Sequence, residues 1–118
     1  MTWFVYIIEG IRTSHQNNGS KTFYVGSTNS IVRRWREHRS HVKSTYMTRY
    51  RIIPRRIAYL EIANSENNAR KREQQLKRKT NLEKRQLVKN FSYNCDPFAQ
   101  AILNDINKSI HKPIGWSL

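Results

Sequence analysis

The sequence predicts an α+β domain with a small, mainly antiparallel three-stranded sheet, flanking helices and an extra C-terminal helix. The sheet is indicated by short runs of β-branched and aromatic residues, which polar or helical segments separate. The helices are indicated by apolar residues at helical spacing that follow Ser, Thr, Asn or Asp, the usual N-caps. At 118 residues, the chain is long enough for one compact core and too short for two.

The first two strands are predicted at Trp3–Ile8 and Thr22–Val25. The segment between them, "EGIRTSHQNNGSK", is polar and contains glycine, which suits a long loop or a distorted hairpin. We therefore expect the two strands to pair antiparallel. Gly26 is expected to permit a sharp exit from the second strand, and Ser27 to Ser30 offer several N-caps. The first helix should then run from about Ser30 to His41.

The third strand is predicted at Arg56–Ile62, "RIAYLEI". The segment 42–55 before it is ambiguous, although Pro54 excludes a continuing helix there. After the strand, Asn64 and Ser65 should cap a helix that ends near Lys79. The sheet and the first two helices are thus accounted for before residue 80.

Two further helices are predicted towards the C-terminus. "TNLE" at 80–83 matches a capping box and begins a short helix that reaches about Asn90. Asp96 and Pro97 form an N-cap and first-turn pair, which begins the last helix. Its apolar residues follow at helical spacing: Phe98, Ile102, Leu103, Ile106 and Ile110. We divide the chain into a main domain, 1–92, and a helical extension, 93–118, packed on it.

The charge of the chain indicates its partner. Lys and Arg number 22 against 8 Asp and Glu, which gives a formal net charge of +14. Because such an imbalance opposes compaction by self-repulsion, it favours a polyanionic partner. The basic residues concentrate between Arg33 and Lys89, where regular apolar residues continue, so this region is folded and not a disordered tail. Nucleic acid is therefore the leading partner, ahead of an anionic membrane surface.

Several other classes are disfavoured. No apolar run approaches the ~18 residues of a membrane-spanning helix. The apolar opening "WFVYII" has no basic region before it and is followed by Glu9, which is unlike a signal peptide. The single cysteine, Cys95, cannot form an internal disulfide. We expect an intracellular protein, cytoplasmic or nuclear, that has no membrane partner.

Glu73 is the most informative residue of the middle helix, "SENNARKREQQLKRK". It lies four residues after Ala69 and three before Leu76, so it shares their apolar face. One interpretation is an ordinary helix-face carboxylate that pairs with Arg70 or Lys77. The other is an inward carboxylate that binds Mg²⁺, because an unpaired inward charge is costly without a use. Periodicity does not decide between these two interpretations.

Arg34 and His38 are four residues apart and therefore adjacent on the first helix. Arginine offers a planar fork that matches phosphate oxygens. The alternatives are that Arg34 is one of many DNA-contacting cations and that His38 fills the helix surface. Tyr6 and Tyr24 lie in predicted strands, where tyrosines usually contribute to core or cross-strand packing.

In their order along the chain, these residues resemble the GIY-YIG nuclease family. Phe4-Val5-Tyr6 stands at the first triplet and Tyr24-Val25-Gly26 at the second. Arg34 and His38 follow in "RRWREH", and Glu73 follows on a later helix. The resemblance covers about residues 3 to 90 and is greatest to the small stand-alone, single-domain members. Phe4 replaces the family's first glycine, and the connection between the triplets is longer than in compact members.

The resemblance implies a metal-dependent endonuclease that hydrolyses phosphodiester bonds and needs no small-molecule cofactor. Glu73 would hold one Mg²⁺ or Mn²⁺, and Arg34 would clamp the phosphate. Tyr6 is expected to be the general base, with Tyr24 orienting water or phosphate. The ordinary tyrosine pKa of ~10 would then have to be lowered by the metal or by Arg34. His38 would hydrogen-bond a tyrosine or the attacking water.

DNA is the expected substrate, in a branched, damaged or otherwise non-uniform duplex. Because one domain carries one site, it should nick one strand; double-strand cutting would need a homodimer or two visits. A larger repair or recombination complex is a further expected partner. Two alternatives stay open: an inactive nucleic-acid-binding module of the same fold, and a basic structural RNA-binding protein. Further basic side chains are predicted to contact DNA: Arg33, Arg36, Arg49, Arg55 and Lys77.

Overall fold

The computed structural model describes residues 2–12, 21–40, 52–94 and 101–105, and it has the predicted α+β architecture. Three strands form one antiparallel sheet: β1 (Trp3–Arg12), β2 (Lys21–Thr28) and β3 (Ile52–Ala63). The spatial order is β2-β1-β3, so β1 is central and the other two are edge strands. β1 pairs antiparallel with both neighbours, which confirms the predicted pairing of the first two strands.

The third strand begins at Ile52, earlier than the predicted Arg56, and it contains Pro54. An edge strand tolerates proline because one side of its backbone has no hydrogen-bonding neighbour. The register between β1 and β3 also shifts between Glu9 and Gly10, where Gly10 lies opposite Pro54. Proline therefore excluded a helix here, as predicted, without ending the strand.

Three helices follow the predicted order: α1 (Ile31–Ser40), α2 (Glu66–Lys77) and α3 (Asn81–Asn94). The side chain of Ser65 caps α2, where its Oγ accepts a hydrogen bond from the backbone N–H of Asn68 at 3.1 Å. Among the described residues, no helix is long and apolar enough to cross a membrane.

The predicted capping box at the start of α3 is confirmed. The backbone N–H of Glu83 donates to Thr80 Oγ1 at 3.2 Å, and that of Thr80 donates to Glu83 Oε1 at 3.0 Å. Residues 101–105 are helical, and Leu103 is buried in the core. The rest of the predicted last helix lies outside the described residues, so the boundary at residue 92 stays a prediction.

The core lies on both faces of the sheet because side chains alternate along each strand. On the first face, Ile31 and Trp35 of α1 share a cluster with Tyr6. On the second face, Ala69 and Leu76 of α2 share a cluster with strand residues Val5, Ile7, Phe23, Val25 and Ala58. α1 and α2 thus carry their predicted functional residues to opposite faces of one sheet.

Candidate active site

Tyr6 and Gly26 lie directly opposite each other in the β1–β2 ladder. A Cβ atom at Gly26 would lie 2.6 Å from Tyr6 Cζ and would overlap the hydroxyl oxygen. Gly26 also lies within β2, which continues to Thr28. The expectation that Gly26 provides a sharp exit was therefore wrong. The missing side chain instead makes room for the Tyr6 ring over the backbone of the edge strand.

Tyr6 and His38 form a buried pair. The Tyr6 hydroxyl lies 3.2 Å from His38 Nε2, and both side chains are almost fully buried. His38 Nδ1 has no hydrogen-bond partner among the described residues. Burial, with a further contribution from the charge of Arg34, lowers the pKa of His38 to about 4. His38 is therefore neutral at pH 7. Because its side chain is buried, the alternative that His38 fills the helix surface was wrong.

Tyr24 completes a group of three aromatic rings. It lies two residues before Gly26 and therefore on the same face of β2 as the Tyr6 ring. The Tyr24 ring centroid is 5.2 Å from that of His38, in an edge-to-face arrangement, and 6.4 Å from that of Tyr6. Tyr24 is only partly buried, so it is the tyrosine of this group that is open to solvent.

Arg34 lies beside this group, one helical turn before His38. A short turn fixes the start of α1, because Thr28 Oγ1 accepts the backbone N–H of Ser30 at 3.0 Å. The Arg34 side chain is 30% exposed, and its Nη1 lies 3.1 Å from Glu37 Oε1. It can therefore reach a ligand while Glu37 limits its conformations.

The Tyr6 hydroxyl is a weak acid in this environment. Burial raises its pKa well above the ordinary value, and the neighbouring Tyr24 raises it further. Arg34 acts in the opposite direction through its charge and a hydrogen bond, but burial outweighs it. The charge of Glu73 also raises the pKa of Tyr6, so it acts across the site. Tyr6 therefore keeps its proton at neutral pH.

Both carboxylate oxygens of Glu73 have partners. The Ser27 hydroxyl donates to Oε1, and Lys77 Nζ lies 2.6 Å from Oε2. The Glu73 side chain is 16% exposed, as expected for an inward carboxylate. The alternative partner, Arg70, pairs instead with Glu66 at 2.8 Å. Each interpretation of Glu73 thus retains one supporting feature: the inward position, or the ion pair with Lys77.

A metal ion at Glu73 would be held by few protein atoms. Among the described residues, no group of three or more His, Cys, Asp or Glu side chains lies close enough to form a metal cage. Mg²⁺ usually keeps several waters and binds one or two carboxylates together with substrate phosphates. The single, well-positioned carboxylate of Glu73 suits that mode, provided that the half-exposed Lys77 side chain moves from Oε2.

The two halves of the site meet where β2 ends. Tyr6 and Tyr24 face α1, whereas Ser27 points to the other face and contacts Glu73 of α2. A cleft of about 380 Å³ opens at this end of the sheet, and we call it the Arg34 cleft. Its wall includes side chains from both helices and from β1: Trp3, Asn29, Arg33, Arg34, Glu37 and Arg70.

The predicted DNA-contacting residues are spread over the surface. Arg33 lines the Arg34 cleft, and Arg36 is exposed on α1. Arg55 is exposed on β3, the edge strand away from β2, and is therefore not part of this site. Lys77 contacts Glu73 directly, and Arg49 lies outside the described residues.

Sequence reasoning missed Ser27, Trp3 and Arg70. Ser27 was read as an N-cap candidate, although its position directly after Tyr24-Val25-Gly26 could have marked it. Trp3 was read only as part of a buried strand. Arg70 was considered as an ion-pair partner of Glu73, but it lines the Arg34 cleft instead.

One family model and two relatives among known proteins match most of this chain. A family model described as the GIY-YIG catalytic domain matches residues 2–86. A UPF0213 protein of Desulfotalea psychrophila is 37% identical over 87 residues, which cover 74% of this chain and 71% of that protein. A UPF0213 protein of Syntrophus aciditrophicus is 35% identical over 86 residues, which cover 73% and 88% respectively. No solved structure matches the chain.

Proposed function

Because this chain belongs to the GIY-YIG family, a nuclease superfamily that acts on nucleic acid, we propose that it is a metal-dependent DNA endonuclease. It would hydrolyse phosphodiester bonds and nick one strand per site. The observation that carries this proposal is that Tyr6, Tyr24, Arg34 and His38 lie together beside β2. In the same strand, Ser27 follows Gly26, and its hydroxyl donates to Glu73. A protein that only binds nucleic acid through its charge does not need this arrangement.

Arg34 is the phosphate-binding group of the proposal. Its guanidinium can donate two parallel hydrogen bonds to phosphate oxygens and keeps its charge at any working pH. The Glu37 ion pair and the position beside Tyr6 hold it ready in the absence of substrate. Because it is fixed before substrate arrives, little reorganisation is needed as charge develops on the phosphate.

Tyr24 is the stronger candidate for the general base, which reverses the order expected from the resemblance. A base must accept a proton from water, and Tyr24 is the partly exposed tyrosine. Tyr6 is buried and burial raises its pKa, so loss of its phenolic proton, which a tyrosine base requires, is made less favourable. Tyr6 and neutral His38 instead form a hydrogen-bonded pair whose imidazole packs edge-on against Tyr24.

Glu73 would hold one Mg²⁺ or Mn²⁺, which supplies Lewis-acid polarisation of the phosphate and stabilisation of the leaving oxygen. Ser27 fixes one carboxylate oxygen through its hydroxyl, so the carboxylate is oriented before any cation binds. Of the other groups, Arg34 acts on the phosphate and Tyr24 on the attacking water.

A second candidate function is a nucleic-acid-binding module without activity. It is favoured by the ion pair between Lys77 and Glu73, because the ammonium already neutralises the carboxylate. In that case Glu73 stabilises α2, and the basic surface alone accounts for the function.

Conversion of supercoiled plasmid to the open-circular form tests the proposal. We expect nicking with Mg²⁺, none with EDTA, and none by Tyr24→Phe. Tyr59→Phe is the matched control, since Tyr59 is also a partly buried strand tyrosine but bonds to Glu61 on β3. Absence of metal-dependent nicking, with DNA binding retained, would favour the binding module.

A further inference from the structure

The Arg34 cleft contains features that the proposed hydrolysis does not use. Hydrolysis needs one phosphate position, which Arg34 provides, yet the cleft continues past it to Trp3, Asn29 and Arg33. Trp3 is only partly buried, and it is the one aromatic side chain among the described residues of the wall. An aromatic side chain and arginines in one cleft are the combination that binds a nucleobase together with its phosphates.

The size of the cleft limits what it can hold. A volume of about 380 Å³ lies at the lower end of the range for small-ligand sites. Such a space suits a single nucleotide and is far too small for a double helix. A base that enters it must leave the helical stack, and the cost of unstacking is least for a base that is already unpaired.

The cleft is also continuous with the reacting groups. Arg34 precedes His38 by one turn of α1, and Arg70 precedes Glu73 by one turn of α2. Arg34, which the proposal assigns to the scissile phosphate, and Ser27, which contacts Glu73, both line the cleft. The cleft would therefore receive the nucleotide beside the scissile phosphate.

We propose that the Arg34 cleft binds one unpaired nucleotide of the DNA substrate, with its base stacked on Trp3 and its own phosphate beside Arg33, next to the scissile phosphate at Arg34. Trp3 is then a specificity-determining residue that favours bulges, flaps or strand ends over continuous duplex. This inference rests on the proposed nuclease function for its substrate, but the binding it describes does not require cleavage.

The experiment compares two labelled duplexes that are identical except for one extrahelical nucleotide. Binding is measured by fluorescence anisotropy in EDTA, so that metal-dependent cleavage is suppressed. Because a base–aromatic stack is worth about 1–3 kcal/mol, the wild type should prefer the bulged duplex by roughly 5- to 150-fold. Trp3→Leu should reduce this preference to near unity, whereas Trp3→Phe should keep most of it. Affinity for the continuous duplex should stay unchanged in both variants.

Tyr59→Leu is the matched control, because it removes a partly buried strand aromatic outside the cleft. It should leave the preference for the bulge intact. If Trp3→Leu does not fold, 2-aminopurine at the extrahelical position gives an independent readout in the wild type, where stacking on Trp3 should quench its fluorescence and Trp3→Phe should quench it less.

Equal binding of both duplexes by the wild type would overturn the inference, as would an unchanged preference in folded Trp3→Leu or unquenched 2-aminopurine. These outcomes are distinct from failure of the nuclease proposal. If the protein prefers the bulged duplex through Trp3 but does not cleave in Mg²⁺, the cleft proposal is supported and the nuclease proposal is contradicted. If it cleaves DNA without any preference for the bulge, only the cleft proposal is contradicted.

Discussion

The Tyr6 ring lies on Gly26, its cross-strand partner, at a point where any side chain would overlap the phenol. This contact places the Tyr6 hydroxyl at 3.2 Å from His38 and fixes the relation between the sheet and α1. Gly26, in the second triplet, is therefore needed because its missing side chain leaves room for the ring of Tyr6, in the first triplet.

We expect Gly26→Ala to impair both folding and cleavage. The added methyl group must displace the Tyr6 ring, and overpacking of this kind costs about 1–3 kcal/mol of unfolding free energy. Because His38 then loses its partner, the rate per folded molecule should also fall. Urea denaturation and single-turnover nicking measure the two effects.

Gly10→Ala is the control for that substitution. Its Cβ would meet Ile52 Cγ2 at 2.5 Å, so it should also cost stability. It lies away from Tyr6 along β1, and activity per folded molecule should therefore be retained. Equal loss of activity in both variants would mean that strain in the sheet, and not the Tyr6–His38 contact, controls the rate.

Arg34→Lys keeps the positive charge and removes the planar guanidinium group that can donate two parallel hydrogen bonds to a phosphate. We expect cleavage to fall roughly a hundred- to a thousandfold, while DNA affinity changes little. Arg36→Lys is the matched control, since Arg36 is exposed on the same helix, does not line the Arg34 cleft and should keep near-wild-type turnover. Full activity of Arg34→Lys would show that a point charge is enough at this position.

His38 makes stability depend on pH in a defined window. Its pKa is about 4 in the folded protein and about 6.5 in the unfolded chain, which therefore binds more protons between these values. Stability should consequently fall as the pH falls from about 6.5 to 4, by a total on the order of 3 kcal/mol from this residue. Urea denaturation at several pH values in this range gives the free energy of unfolding as a function of pH. This free energy should change less steeply with pH in His38→Gln than in the wild type. The same pH dependence in both proteins would mean that His38 is not buried as a neutral group.

Lys77 competes for the carboxylate that the proposal assigns to the metal. Removal of its ammonium in Lys77→Met should free Glu73 Oε2 and lower the Mg²⁺ concentration for half-maximal cleavage several-fold. Lys71→Met on the same helix removes an equal, exposed charge and should leave the metal requirement unchanged. A metal requirement that rises in Lys77→Met would indicate that the lysine assists metal-dependent cleavage.

The sequence predicted the features that depend on neighbours along the chain. The Thr80–Glu83 capping box formed as expected because both partners lie within one turn. Alternation and helical spacing likewise located the sheet and helices. The role of Gly26 was missed because it is set by Tyr6 on another strand, and the start of β3 was missed because Pro54 is tolerated only at an edge.

The candidate site was predicted in its residues but not in its arrangement. Ser27 was one of four cap candidates, and only the packing of α2 against β2 reveals that its hydroxyl contacts Glu73 instead. Burial of Tyr6, which changes the assignment of the base, depends on how α1 covers the sheet. Such contacts join residues more than thirty positions apart, and no local pattern encodes them.

Single-turnover nicking by Glu73→Gln in saturating Mg²⁺ measures whether this carboxylate is needed for metal-dependent cleavage. The amide keeps the shape and can still accept the Ser27 hydroxyl, so folding and DNA binding should survive. It lacks the anionic oxygen that would hold the cation, so we expect loss of cleavage. Glu66→Gln, an exposed carboxylate on the same helix, should cleave like the wild type. Cleavage by Glu73→Gln at the wild-type rate would mean that Glu73 holds no catalytic cation and is only the ion-pair partner of Lys77.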